Sequence, residues 1–116
     1  MVQVYGIKNC STVKKALDWL TEHEIDYTFN DYKKSGISRD KIDEWQKIFG
    51  WEPLINKKGT TWRKLDSAEQ VAVTDQDSAS KLMQEYTSLI KRPIIDGNGL
   101  YLLGFNEEEY ENKLIR

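Results

Sequence analysis

The first third of the chain passes from a two-residue hydrophobic period to a helical one and back. Residues 2–7 (VQVYGI) alternate loosely and are rich in β-forming residues, which predicts a strand. Apolar residues then recur at helical spacing, at Val13, Ala16, Leu17 and Leu20. We expect a helix there, capped by Ser11 or Thr12. Residues 25–32 alternate again, so the segment predicts a right-handed βαβ unit with parallel strands.

The middle of the chain, residues 38–91, has the helical period almost throughout. Ser38 is a candidate cap for a helix with an apolar stripe at Ile42, Trp45, Ile48 and Phe49. Residues 51–63 look irregular, whereas 64–72 (KLDSAEQVA) predict a short helix. Asp77 is a candidate cap for another helix. We therefore predict a helical insertion at about 38–91.

The last quarter of the chain has the pattern of a hairpin and a helix. Residues 92–95 (RPII) begin a short strand, DGNG at 96–99 is a strong turn signal, and LYLL at 100–103 is the returning strand. Asn106 caps a final helix, with Arg116 as a cation near its end. The order of elements predicts a four-stranded mixed sheet with a central helical insertion. That is an α/β, thioredoxin-like fold.

Composition narrows the class of protein. The 116 residues fit a single domain, and 39% hydrophobic with 31% charged residues is an ordinary globular balance. A net charge of −2 argues against direct nucleic-acid binding. No stretch approaches the roughly 20 apolar residues of a membrane span, and the first residues do not resemble a signal peptide. We expect a cytoplasmic protein, where a lone thiol stays reduced.

The chain's one cysteine, Cys10, falls where the first strand meets the first helix. The first N–H groups of a helix lack intrahelical partners, and the helix dipole and nearby Lys8 add positive charge. Such an environment lowers a thiol's pKa and favours a nucleophilic thiolate. Polar neighbours Asn9, Ser11 and Thr12 favour exposure of the thiol. The alternative is that the cysteine is a small buried hydrophobic residue.

The Arg92–Pro93 pair is the second informative feature. X–Pro bonds are the common site of cis peptides, and thioredoxin-like folds place a cis-proline beside the reactive cysteine. If Arg92 points at Cys10, its guanidinium supplies a fixed charge and a donor fork for an anion. The alternative is that Pro93 starts an edge strand and Arg92 makes a surface ion pair.

A basic segment at residues 54–65 (LINKKGTTWRKL) offers further candidates for a site rim. Its polar members are Asn56, Lys57, Lys58 and Arg63. The alternative is a solvated loop with Trp62 tucked beneath it. His23, the one histidine, lies at the far end of the first helix from Cys10, so a Cys–His pair is not expected. The carboxylates show no metal-ligand spacing, and no metal is predicted.

Four stretches together carry a family resemblance: YGIKNCSTVKKALDWL, IDYTFNDY, GTTWRKL and IKRPIIDGNGLYLLGF. In this order they resemble the ArsC/Spx family, nearest to its YffB-like branch, over nearly the whole chain. The resemblance implies a thioredoxin-like fold with a helical insertion. The arsenate reductases of this family use a cysteine at this junction, matched by Cys10. They also use an arginine before a cis-proline, matched by Arg92 and Pro93.

The sequence departs from the family patterns in two respects. Arsenate reductases carry further arginines around the oxyanion, and the aligned positions here are Asn56 and one near Gly104. Lys58 is a partial substitute for the first, but a lysine is a point charge rather than a bidentate fork. The Spx regulators typically carry a CxxC pair, whereas this chain reads Cys10–Ser11–Thr12–Val13. A dithiol switch therefore lacks its second cysteine.

The resemblance and the residues together suggest a glutathione-dependent monothiol reductase, as proposed for the YffB-like branch. Cys10 and Arg92 are the predicted catalytic residues. The predicted substrate-binding residues are Lys8, Asn9, Ser11, Thr12, Asn56, Lys58 and Pro93. Glutathione, or another small thiol, is the expected co-substrate, an oxidised thiol or an oxyanion the substrate, and no tightly bound cofactor is expected. The alternatives are a non-enzymatic, protein-binding regulator like Spx and, ranked lowest, an arsenate reductase.

Overall fold

The computed structural model describes residues 1–115, so the predicted cation Arg116 lies outside the described residues. The strands are β1 (Val2–Gly6), β2 (Tyr27–Asp31), β3 (Ile94–Gly97) and β4 (Leu100–Leu103). The helices are α1 (Ser11–Glu22), α2 (Tyr32–Ser35), α3 (Arg39–Phe49), α4 (Trp51–Leu54), α5 (Thr60–Lys64), α6 (Ser67–Val71), α7 (Gln76–Glu85) and α8 (Glu107–Tyr110). A 3₁₀ turn (Thr87–Leu89) and a π turn (Glu111–Ile115) complete the described elements.

The strands of residues 1–115 form one mixed sheet in the order β2-β1-β3-β4. β1 and β2 are parallel, with α1 as their crossover, and β1 pairs antiparallel with β3. β3 and β4 form the predicted hairpin, in which Asn98 and Gly99 have φ of 55° and 75°. Positive φ at both central residues is the signature of a type I′ turn. The predicted four-stranded mixed sheet and thioredoxin-like fold are confirmed.

The described chain divides into two compact units. The first comprises Met1–Tyr32 and the chain from Arg92 onward, and it contains the sheet and α1. Its core cluster consists of Val2, Val4, Ala16, Trp19, Leu20, Ile95, Leu102 and Tyr110. The second unit, Lys33–Lys91, contains α3 to α7, and its fully buried side chains include Ile42, Trp45, Leu54, Met83 and Leu89. Its range overlaps the insertion expected at about 38–91.

The start of α1 differs from the prediction. Cys10 occupies the capping position, and Ser11 and Thr12 lie in the first turn. The reason is the backbone: Cys10 is extended (φ −113°, ψ 124°), and its carbonyl already accepts the N–H of Lys14 at 3.0 Å. The helix therefore begins immediately after the sulfur-bearing residue.

Two predictions for the second unit, the burial of Ile48 and the irregular structure of residues 51–63, are wrong. Ile48 was expected in the buried stripe of α3, but it is 51% exposed and Gln46 is buried instead. Position 46 is four residues from Ile42 and shares its face, whereas position 48 is six residues away, about 120° around the helix from Ile42. Residues 51–63, expected to be irregular, contain α4 and the start of α5.

The capping residue of α7 is Asp75, not Asp77. The Asp75 carboxylate accepts the N–H of Ser78 at 2.9 Å, and the Ser78 side chain reciprocates as a capping box. Asp77 lies in the first turn, where its carboxylate pairs with Arg39 at 2.6 Å. The predicted caps Ser38 and Asn106 are confirmed, since each side chain accepts an N–H three residues along.

Gly6 allows α1 to pack closely on the end of β1, just before the cysteine loop. A Cβ added at Gly6 would lie 2.9 Å from Cγ2 of Val13 and 3.4 Å from Phe29. We expect Gly6→Ala to lower the free energy of unfolding by about 1–3 kcal/mol, because overpacking a filled core forces side chains to shift. Urea denaturation measures the change. In a Val13→Ala background the cost should shrink, and an equal cost in both backgrounds would refute the clash.

Candidate active site at the start of the first helix

The carboxyl ends of the two parallel strands meet at one edge of the sheet. Gly6, the last residue of β1, is in register with Asp31, the last residue of β2. The loop that carries Cys10 leaves from the first strand, and Tyr32 follows the second directly. The strand register therefore brings the cysteine loop and the Tyr32 backbone to the same edge.

The third strand begins at this same edge because it runs antiparallel to β1. Ile94 at the start of β3 pairs with Tyr5 near the end of β1. The two residues before Ile94 are Arg92 and Pro93, and the peptide bond between them is cis. The Arg92–Pro93 pair thus arrives beside the cysteine loop, as the sequence hypothesis required.

The Cys10 thiol is free and partly buried. Burial acts to raise the pKa of the thiol, but the N–H groups of Val13 and Thr12 and the Arg92 guanidinium oppose it. The stabilising groups prevail, and the pKa of Cys10 is lowered from its ordinary value. Although the thiol makes no formal capping hydrogen bond, the helix N–H groups favour the thiolate. The sulfur is therefore set up as a nucleophile.

The Arg92 guanidinium contacts two groups of the first unit. It donates a hydrogen bond to the Cys10 sulfur and another to the Tyr32 side chain. Because an arginine has donors and no acceptors, the tyrosine oxygen must be the acceptor. Arg92 thus supplies the positive charge that the sequence hypothesis placed next to the thiol.

Tyr32 is the residue that sequence reasoning missed. Its side chain is 1% exposed, and burial raises the pKa of the phenol well above its usual range, so the hydroxyl stays neutral. A tyrosine after an alternating strand resembles any core residue. The signal that would have found it is its position directly after the second of two parallel strands, at the edge where Cys10 emerges.

The other predicted site residues of the first unit are neighbours of Cys10 or Arg92 along the chain. Lys8, Asn9, Ser11 and Thr12 are exposed, whereas Pro93 is buried. The Pro93 carbonyl accepts the N–H of Gly104 at 2.8 Å, and the Gly104 carbonyl accepts the Tyr110 hydroxyl at 2.6 Å. Both the N–H and the carbonyl of Gly104 are therefore held in hydrogen bonds.

Asn56 and Lys58 belong to the second unit. The Asn56 side-chain oxygen accepts the backbone N–H of Lys58 at 3.2 Å, which shapes their own loop. Between them, the Lys57 ammonium lies 6.0 Å from the Trp51 ring and 5.5 Å from the Trp62 ring. These contacts support a structural role for Lys57 and Trp62. Substrate binding by Asn56 and Lys58 stays a prediction.

His23 follows the C-terminal end of α1, where its ring stacks on Trp19 with centroids 4.0 Å apart.

Within residues 1–115, no three or more histidine, cysteine, aspartate or glutamate side chains converge in a way that would hold a metal ion. Over the same residues, no helix has the length and apolar character needed to cross a membrane.

A family model described as the ArsC family matches residues 5–113. The chain belongs to the ArsC family. Within it, the relatives support the predicted YffB-like branch and a kinship with Spx. A Haemophilus influenzae protein without a described function is 48% identical over 96% of both chains. The global transcriptional regulator Spx of Streptococcus pyogenes is 30% identical over 100% of this chain and 87% of its own length.

Solved structures agree with this ArsC-family assignment. A structure named YffB (PA3664) protein superposes with a TM-score of 0.93 at 43% identity, covering 98% of this chain and 99% of its own. An arsenate reductase (ArsC) related protein from Brucella melitensis has a TM-score of 0.75 at 45% identity, covering 96% and 92%. The predicted family and branch are confirmed.

Proposed function

We propose that this ArsC-family chain is a glutathione-dependent monothiol reductase acting through Cys10. The observation that carries the proposal is the Cys10 sulfur at the start of α1, hydrogen-bonded to the Arg92 guanidinium and with a lowered pKa. A thiolate stabilised this way is a good attacking group at neutral pH. Because the sequence has one cysteine, a second thiol must come from another molecule.

The reaction consists of two balanced thiol–disulfide exchanges. In the first, the Cys10 thiolate attacks the glutathione sulfur of a mixed disulfide R–S–S–glutathione. A disulfide bond forms between Cys10 and glutathione, the S–S bond of the substrate breaks, and R–S⁻ leaves and takes a proton from solvent. In the second, the thiolate of a free glutathione attacks the glutathione sulfur of the adduct. Glutathione disulfide leaves and the Cys10 thiolate is regenerated, so the net reaction converts R–S–S–glutathione and one free glutathione into R–SH and glutathione disulfide.

Binding of glutathione is assigned to the residues around the thiolate. Arg92, with Lys8, offers positive charge to the glutathione carboxylates. The exposed side chains of Asn9, Ser11 and Thr12 offer hydrogen bonds to glutathione at the N-terminal end of α1. The backbone beside Pro93 offers pairing to the glutathione peptide. The reaction belongs to a reducing compartment such as the cytoplasm, where free glutathione regenerates the thiolate.

The adduct provides the direct test. On mixing the protein with a glutathionylated peptide and quenching with acid, we expect one glutathione on Cys10 by mass spectrometry. Excess glutathione should remove it. At a given pH the adduct should form faster than with a thiol of ordinary pKa, because the pKa of Cys10 is lowered and more of it is thiolate. Adduct formation no faster than with free cysteine at the same pH would rule out the proposed function.

A second candidate function is a protein-binding regulator. The observation that favours it is the 30% identity with Spx across the whole of this chain. Capture of one stoichiometric protein partner, unaffected by Cys10→Ser, together with no glutathione turnover, would favour this alternative. Arsenate reduction has less support, because Asn56 and Gly104 stand at or near the positions where the family carries additional arginines.

A further inference from the structure

Tyr32 is a buried neighbour of Arg92 at the candidate active site. It follows Asp31, the last residue of β2, and its side chain is almost fully buried. Its hydroxyl oxygen accepts a hydrogen bond from the guanidinium that also donates to the Cys10 sulfur. One arginine is therefore held between a buried neutral oxygen and a partly exposed sulfur.

Such an arrangement needs the tyrosine hydroxyl for a physical reason. A guanidinium has five N–H donors, and a long arginine side chain loses considerable rotamer freedom when it is held in one place. A buried acceptor that stays neutral orients the guanidinium without cancelling its positive charge. The charged groups around the phenol are Arg92, the Cys10 thiolate and Asp31. Arg92 alone among these three is a hydrogen-bond donor to it.

We propose that Tyr32 is a positioning residue, whose hydroxyl holds the Arg92 guanidinium against the Cys10 sulfur. This inference rests on the proposed function, because positioning matters only if the thiolate reacts. Tyr32 does not contact the substrate, since its side chain is buried. It acts through Arg92, and the tyrosine oxygen therefore helps to determine how reactive the sulfur is.

Tyr32→Phe removes the acceptor and keeps the ring. We expect it to raise the pKa of Cys10 by about 0.5–1 unit, which lowers alkylation below the pKa by about three- to tenfold. The measurement is the rate of iodoacetamide alkylation between pH 4 and 9, followed by mass. Because the chain has one cysteine, the adduct is unambiguous. An alkylation profile identical to that of the unmodified protein would overturn the proposal.

Two further variants separate positioning from a general loss of structure. Tyr110→Phe is the matched control, because Tyr110 is another buried tyrosine of the first unit but its hydroxyl donates to the Gly104 carbonyl. Its alkylation profile should match the unmodified protein, and a shift as large as that of Tyr32→Phe would refute a specific role. In an Arg92→Ala background, Tyr32→Phe should add no further shift. An undiminished shift there would show that Tyr32 does not act through Arg92.

A measurement in Cys10→Ser covers the case in which Tyr32→Phe does not fold. With the sulfur gone, the Tyr32 oxygen should still restrict rotation of the Arg92 guanidinium, seen as separate slow-exchanging ¹⁵N–¹H resonances. Exposed Arg63 is the internal reference for free rotation. Free rotation of Arg92 would overturn the positioning role. Failure of the wild-type protein to form the glutathione adduct is a separate result, and it would remove the proposed function itself.

Discussion

Cys10→Ser reduces turnover of a glutathione mixed disulfide to the uncatalysed background, a loss of about 10³-fold or more, as expected when a covalent nucleophile is removed. The physical reason is that a serine hydroxyl does not ionise near neutral pH and cannot form the mixed disulfide. The measurement is steady-state release of the peptide thiol with glutathione in excess. Residual activity near the wild-type rate would end the catalytic hypothesis.

The serine variant is a clean test because the substitution suits the local structure. Cys10 occupies the capping position of α1, and serine is among the preferred residues there. The variant should unfold in urea at least at the wild-type midpoint, so lost activity reports lost chemistry. Thr21→Ala is a control at the far end of the same helix, where its hydroxyl donates to the Leu17 carbonyl at 3.0 Å. It should leave turnover unchanged.

Arg92→Ala raises the pKa of Cys10 by about 1–2 units, the size of the effect that an adjacent opposite charge exerts. Arg92 both donates to the sulfur and places a positive charge beside it, so its removal destabilises the thiolate. At a pH below the wild-type pKa of Cys10, alkylation should fall by about 10- to 100-fold. Turnover of the glutathione mixed disulfide should fall with it, since the same thiolate attacks.

The lysine substitution at this position tests geometry as well as charge. Arg92→Lys keeps a cation but cannot donate to Cys10 and Tyr32 with the same planar fork. Its alkylation profile should lie between those of the wild type and Arg92→Ala. Lys91→Ala, which removes the exposed neighbouring cation, is the matched control and should leave the pKa of Cys10 in place. Equal shifts in the pKa of Cys10 in Lys91→Ala and Arg92→Ala would mean that the thiol responds only to the overall positive charge nearby and not to contact with Arg92.

Local patterns in the sequence were sufficient for most of the architecture. Alternation in residues 2–7 and 25–32 and the helical spacing after Cys10 predicted the parallel βαβ unit. The DGNG segment predicted the hairpin because its last two residues, Asn98 and Gly99, tolerate the positive φ of a type I′ turn. Such signals depend on neighbours in the chain, and short-range physical chemistry is enough to read them.

The errors arose where two local signals of similar strength competed. Ser11, Thr12 and Asp77 are good capping residues, yet Cys10 and Asp75 occupy the capping positions because the backbone is extended at those residues. Ile48 is as apolar as its neighbours but lies on the exposed side of α3. Choosing between such neighbours requires the backbone conformation and the packed face, which composition does not specify.

The chain order alone identified Cys10 as a helix-start thiol and Arg92 as its candidate partner before Pro93. Only the folded arrangement decided that the Arg92 guanidinium lies beside both the Cys10 sulfur and the Tyr32 hydroxyl. These three residues are far apart in sequence, and they meet because two parallel strands end where an antiparallel strand begins. The pKa of Cys10 depends on how deeply the thiol is buried and on how close the Arg92 guanidinium lies to it, so it is a property of the tertiary structure.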